Sequence, residues 1–306
     1  MKLVMTLLVR DEEDILEANL EYHFAQGVEF VIATDHGSTD ATPEILDRYE
    51  AQGLARVLRV EGHEHHQSRR VTRMARLAAV EHGADWVINN DADEFWWPLA
   101  GSLVDVLAAV PARYGQIIVP RNNFLPSPVQ DGGAFYDRLV LRERRSSNLV
   151  GRMLETKVAH RASLDVVVAP GNHGISGAEL EPVPTQELLE VLHFPMRDRA
   201  QFERKVRAIG IGYETLPFKG EEVGRDQLTL LELQRNGRLG EHFESHLPSP
   251  AEIAEGLRTE QLVIDRRLAS FMGELELARS QGLPFASVRP DRDAAHAVVA
   301  TLLGDR

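Results

Sequence analysis

Through residues 3–90, apolar runs of strand length alternate with amphipathic runs of helix length, and nothing else in the sequence constrains the fold as tightly. Leu3-Val4-Met5-Thr6-Leu7-Leu8-Val9 is a continuous apolar run, followed by Ile15, Leu16, Leu20 and Phe24 at helical spacing. Glu29 to Thr34 reads as a second strand, and Pro43 to Tyr49 as a helix with Thr42 as its cap and Pro43 at its first position. Ala55 to Val60 is a third strand. Ser68 to His82 is a helix with Val71, Met74, Ala75, Ala78 and Ala79 on one side, stopped by Gly83 before the strand Asp85 to Asn90. Such alternation predicts a parallel sheet covered by helices. Ligands of these sheets bind beyond the carboxyl ends of the strands. The polar residues at those ends are Arg10 to Glu12, Asp35 to Asp40, the His-rich turn after Val60, and Asp91 to Glu94.

The texture then changes. Gln116 to Val119, Phe135 to Arg142, Met153 to His160, Leu164 to Val168 and Leu189 to Phe194 read as short strands without long helices between them, an antiparallel or mixed continuation. From Arg199 onward the spacing is mostly helical. The expected organisation is one catalytic unit over residues 1–200, with a nucleotide-binding half at 1–98 and an acceptor-side half at 99–200, then a mainly helical extension over 201–306.

The net charge of −13 over 306 residues disfavours nucleic acid as a partner. Without cysteine the chain has neither disulfides nor a thiolate nucleophile, which agrees with a cytoplasmic location. The run Met1 to Val9 is too short to span a bilayer and leads directly into Arg10-Asp11-Glu12-Glu13-Asp14, so no integral membrane segment is expected. Oligomeric state is not legible.

Asp91, Asp93 and Glu94 follow an apolar strand and precede Phe95-Trp96-Trp97-Pro98. In extended geometry Asp91 and Asp93 share a side, about 7 Å apart, and can share one divalent cation. A cation would also offset the cost of crowding three acids at the edge of a core. An acidic turn capping the next helix is the plainer alternative. The oxygen-rich, thiol-free set suits Mn²⁺ or Mg²⁺, which stabilise a departing diphosphate without proton transfer.

At these residues the chain resembles the family-2-type glycosyltransferases, in particular a branch with an Asp-Ala-Asp-Glu-Phe motif. The pieces are Val9-Arg10-Asp11-Glu12 with Ile15-Leu16, Tyr22-His23, Gly27-Val28, Asp35-His36-Gly37-Ser38-Thr39-Asp40-Ala41-Thr42, and Ala84 to Phe95. Looser ones follow at Lys157 to Arg161, Gly171-Asn172-His173, and His193 to Arg197 with Phe202 and Lys205. The resemblance implies a GT-A-type, Rossmann-like α/β fold. It implies a nucleotide-diphosphate sugar donor, UDP first and GDP or dTDP as alternatives, and an acceptor that it does not identify. Carried onto this chain, Val9, Arg10, Asp11, Glu12 and Asp35 border the base and ribose. Gln67, Arg70 and Arg73 face the diphosphate or base. Asp91 and Ala92 lie near the ribose, Asp91 also near the metal, and Asp93 binds the metal. Related sequences often carry Asn where His36 stands, and Asp40 has a structural use at the start of the following helix.

His193 ends a downstream apolar strand and is a candidate metal ligand, while Arg197 and Lys205 are candidates to approach the diphosphate. An inverting transfer needs a base for the acceptor hydroxyl; His173 in its tight turn is one candidate, with Glu155 and Asp131 as competitors. His63, Glu64, His65 and His66 fit no zinc spacing and read as a solvated loop. Two rival functions are a nucleotidyltransferase, whose Gly-rich basic phosphate loop is missing after the first strand, and a non-catalytic sugar-nucleotide-binding protein.

Overall fold

The computed structural model describes residues 1–60, 66–129, 132–147, 154–214, 225–289 and 292–304. The expected α/β alternation is present: β1 (Leu3–Val9), α1 (Leu16–Ala25), β2 (Val28–Asp35), α2 (Thr42–Ala51), β3 (Ala55–Arg59), α3 (Gln67–Val80) and β4 (Trp86–Asn90). These strands run parallel in the order β3-β2-β1-β4. The central strand β1 is almost wholly buried, as a strand covered on both faces must be. One face packs against α3 through Val4, Ile32, Val71, Met74 and Val87, and the other holds the larger core of Leu3, Met5, Leu7, Leu16, Leu20 and Trp86. Register pairs Val9 with Asp35 and Leu7 with Asn90, so β1, β2 and β4 end along one edge.

Beyond β4 the chain makes β5 (Glu94–Pro98), α4 (Leu103–Ala109), β6 (Gln116–Val119), β7 (Arg121–Asn123), α5 (Phe135–Arg138), β8 (Leu141–Glu143), β9 (Lys157–Arg161), β10 (Val167–Val168), β11 (Ile175–Ser176) and β12 (Leu189–His193). The strand β9 pairs antiparallel with both β4 and β6, extending the main sheet. A second sheet is ordered β5-β12-β7, antiparallel between β5 and β12 and parallel between β12 and β7. The mixed continuation is therefore there, with one correction. Phe135 to Arg142, expected as a strand, is a helical turn followed by β8. Phe135 and Leu139 are both buried at i, i+4 spacing, and Phe135 packs on Phe95 and Phe194, a side-by-side burial that a period-2 strand does not give.

The C-terminal part comprises α6 (Arg199–Glu214), α7 (Arg225–Arg235), α8 (Leu239–Glu244), α9 (Pro250–Arg258), β13 (Leu262–Ile264), α10 (Arg267–Ser280) and α11 (Arg292–Leu303). Met196, Phe202, Val206, Leu230, Leu239 and Phe243 form a satellite core on α6 to α8. The helices α10 and α11 join the main core through Leu268, Phe271, Met272, Leu275, Val299 and Leu303, and β13 pairs with β8. Among the described residues no helix is long and apolar enough to cross a membrane.

Candidate active site

The segment between β4 and β5 is a turn, not the extended stretch expected, because the Glu94 N–H donates to the Asp91 carbonyl at 3.0 Å. Buried amides fix it. Asn19 on α1 donates through Nδ2 to the carbonyls of Ala92 (2.9 Å) and Glu94 (2.7 Å), and its Oδ1 accepts from Asn90 Nδ2. Asn90 Oδ1 in turn accepts from the Trp96 indole, and the Tyr22 hydroxyl donates to the Trp96 carbonyl. Trp96 is buried, while Trp97 stacks on Tyr22 and lies beneath Arg267, so both pack within the protein.

The turn sends its acids in different directions. Asp91 accepts from Lys157 Nζ at 2.6 Å and Asn172 Nδ2 at 3.2 Å. Glu94, fully buried, lies 3.0 Å from the same Lys157 and 3.2 Å from Arg121. Asp93 Oδ2 accepts from Lys205 Nζ at 2.6 Å and lies 3.4 Å from His193 Nε2. Sheet register places that histidine: His193 pairs with Glu94 across β12 and β5, and with Asn123 across β12 and β7. Asn123 donates through Nδ2 to the Ser147 carbonyl, so its Oδ1 accepts from His193 Nδ1 at 2.6 Å. With Nδ1 held on Asn123, the His193 ring turns its Nε2 toward Asp93.

Glu12 belongs to the same cluster: its Oε1 accepts from Lys205 Nζ at 2.7 Å, and its Oε2 from Arg197. Buried Arg197 also holds Asp14 and the Phe194 carbonyl. Burial would raise the pKa of Asp93, but Lys205, then His193 and Arg197, hold its carboxyl well below the ordinary range. Burial would lower that of Lys205, and Asp93 and Glu12 outweigh it, so its ammonium persists above the usual lysine range. Lys157, Lys205, Arg121 and Arg197 thus supply the compensation that crowded carboxylates demand, a role the sequence reading had left to a metal.

A divalent cation is implied by the resemblance, and the residues fit one in part. Among the described residues no three His, Cys, Asp or Glu side chains converge as a cage. Asp93 Oδ2 and His193 Nε2 do face each other at 3.4 Å, both atoms of metal-ligating type, and Mg²⁺-type ions commonly use one or two protein ligands completed by substrate phosphates. Asp91 stands apart from that pair on Lys157.

The other expected residues divide by environment. Asp11, at φ 52°, accepts from the Thr39 N–H at 2.7 Å, and its own N–H donates to Ser38 Oγ. Asp35 accepts from the N–H and hydroxyl of Ser38. Thr42 does not cap α2 but accepts from the Glu12 N–H, and Asp40 accepts from the N–H groups of Glu13 and Thr42. These bonds lace the strand ends of β1 and β2 together. Val9 is buried with its carbonyl on the His36 N–H, and Arg10 is half-buried beside Asp11. Gln67 accepts from the Gly171 N–H, holding the 170–174 turn, while Arg70 is half-buried and Arg73 exposed on α3.

That turn also receives Lys157 on the Gly171 carbonyl and sets His173 Nε2 2.9 Å from Glu155, so two base candidates form one dyad. Burial first, then Lys157 and Arg121, push the His173 imidazole down to about 4, neutral near pH 7. Asp131, His63, Glu64 and His65 lie outside the described residues. Sequence reasoning missed Asn19 and Asn123, and it gave Lys157, a piece of the resemblance, and Asn90, at the end of a strand, no role of their own. For Asn19 and Asn90 the signal was an amide beside apolar helix and strand positions.

Residues 5–119, less than half of the chain, match glycosyltransferase family 92. On that match the chain is a glycosyltransferase, the enzyme class expected, although the sequence pieces had suggested the family-2 type. No curated protein matches in sequence. Among solved structures the chain is similar to S. aureus TarS 1-349, at 13% identity over 92% of each chain with a TM-score of 0.40. It is also similar to glucosyl-3-phosphoglycerate synthase from Mycobacterium tuberculosis, at 16% identity over 81% of each chain with a TM-score of 0.34. A third likeness, to 4-diphosphocytidyl-2C-methyl-D-erythritol synthase, is 15% identical over 53% of this chain and 75% of that one, with a TM-score of 0.30. TM-scores this low say nothing of donor, acceptor or mechanism.

Proposed function

We propose that the chain transfers a sugar, with inversion, from a nucleotide-diphosphate donor lying across the ends of β1, β2 and β4 to an acceptor hydroxyl. The observation that carries this reading is the Asp93–His193 pair at that edge, backed by half-buried Lys205 and buried Arg197 and joined by the family match. Val9 to Glu12 and Asp35 border the nucleoside, UDP being the first choice. Asp91 and Ala92 lie beside the ribose, with Asp91 still 28% exposed on its side chain.

Asp93 and His193 would hold Mn²⁺ or Mg²⁺, which when bound neutralises charge on the leaving diphosphate. In the transfer, the acceptor oxygen forms a bond to the anomeric carbon as the bond from that carbon to the diphosphate oxygen breaks, the oxygen keeping the electron pair. Lys205 and Arg197 bring positive charge to that oxygen's side. The acceptor proton passes to the Glu155–His173 dyad. Glu155 is well exposed and takes the proton, and His173, its own proton held on Nδ1 by the Thr156 carbonyl, accepts a hydrogen bond at Nε2 from the carboxyl so protonated.

Thermal unfolding with UDP, GDP and dTDP, each with and without Mn²⁺, tests the reading. One diphosphate should raise the midpoint far more with Mn²⁺ than without it, a ligand at about 100 times its Kd adding roughly 2.7 kcal/mol. Asp93→Asn should lose the Mn²⁺ increment. No response to any nucleotide would refute the donor assignment.

A further inference from the structure

Asp93 Oδ2, the oxygen nearest His193 Nε2, is the one that Lys205 Nζ occupies at 2.6 Å. A cation bridging Asp93 and His193 would therefore sit within about 4 Å of an ammonium, a repulsion large enough at partly buried separations to shift affinity by orders of magnitude. The ammonium has a second partner. Glu12 Oε1 already holds it at 2.7 Å, while Arg197 engages the other oxygen of Glu12. Lys205 can let go of Asp93 without becoming an isolated buried charge, and its side chain is 24% exposed, which leaves room for the movement.

We infer that Lys205 is a resident counter-ion at the cation position of the nucleotide-free enzyme, so that a divalent cation enters only as the donor diphosphate draws the ammonium off Asp93. This inference rests on the metal reading proposed above. It makes metal and nucleotide binding strongly synergistic, because each removes an obstacle to the other: the diphosphate oxygens receive Lys205, and the vacated carboxylate oxygen receives the cation. Lys205 is then a positioning residue that couples α6 to occupancy of the site. A free enzyme that binds Mn²⁺ weakly does not hold a metal idle at an open acidic edge.

Mn²⁺ binding, read from loss of the free-ion electron paramagnetic resonance signal, tests this without turnover. Wild type, Lys205→Met and Lys205→Arg are titrated with and without UDP, and their folding is checked by circular dichroism; Lys205→Gln replaces the Met variant if that one does not fold. Wild type should bind Mn²⁺ at least about tenfold more tightly with UDP than without. Lys205→Met should bind it about tenfold more tightly than wild type in the absence of UDP, with most of the synergy gone, and Lys205→Arg should stay weak. If wild type binds Mn²⁺ with UDP but the neutral variant shows no gain without UDP, the counter-ion role is wrong and the metal site stands. If wild type takes up no Mn²⁺ even with UDP, the metal reading falls and this inference with it.

Discussion

Lys157 shows how a single residue can define the site's electrostatics. Its ammonium, 1% exposed, lies between half-buried Asp91 and fully buried Glu94, and removing it leaves the buried Glu94 carboxylate with Arg121 as its remaining ion pair. Lys157→Met should cost about 3–5 kcal/mol of folding stability in urea denaturation, the range for breaking a buried pair from one side. A loss below about 1 kcal/mol would mean that Arg121 and water suffice. Two histidines carry a separate prediction. His23 accepts from the Trp96 N–H at its Nε2 and donates to the Asn19 carbonyl from Nδ1, and His160 is buried on β9; burial lowers both to about 4. Protonation then favours the unfolded chain, whose histidines titrate near 6.5, so stability should fall as pH drops from about 6.5 to 4, by roughly 1–2 kcal/mol per histidine at pH 5. Thermal midpoints at pH 7 and pH 5 check it, and His23→Asn should shallow the slope.

Between elements, what the sequence disclosed depended on periodicity. The runs forming β1 to β4 and α1 to α3 were legible because their apolar period matches the burial they receive, and Leu3–Val9 was read to the residue. Asp93 was legible as a strand-end acid. Its partners were not, because His193 and Lys205 reach it through the β5–β12 register and the packing of α6, which join residues some hundred positions apart. The turn at 91–93 was hidden for the same reason, since Asn19 and Asn90 impose it from other elements. Likewise, the tie between β13, α10 and β8 is tertiary. Asp265 accepts from Arg142 at 2.8 Å and from Arg267 at 2.6 Å, and although burial opposes it, those hydrogen bonds bring its carboxyl down to about 2. With a folded value below the unfolded one, its contribution is present above about pH 4 and disappears as pH falls toward 2. Asp265→Asn should cost about 2 kcal/mol at pH 7 and far less at pH 2.5, as read by urea unfolding at both.

For the molecule as a whole, β1 to β4 form a parallel sheet whose open edge gathers Glu12, Asp91 and Asp93, while β12, α6 and the segment between them bring His193, Lys205 and Arg197 back over it from late in the chain. The main core takes in residues from Leu3 to Leu303, near both ends of the sequence. The family match reaches only to residue 119, so the basic half of the site lies beyond it, and the claim to be tested is sugar transfer at this edge. Release of nucleoside diphosphate from a panel of nucleotide sugars, followed with Mn²⁺ in wild type, Asp93→Asn and Glu155→Gln, tests it most directly. Turnover of at least one donor by wild type is expected, with a loss of roughly 100-fold or more in each variant and donor binding kept in Glu155→Gln. Undiminished turnover in Asp93→Asn would contradict it, as would no release from any donor by the wild type.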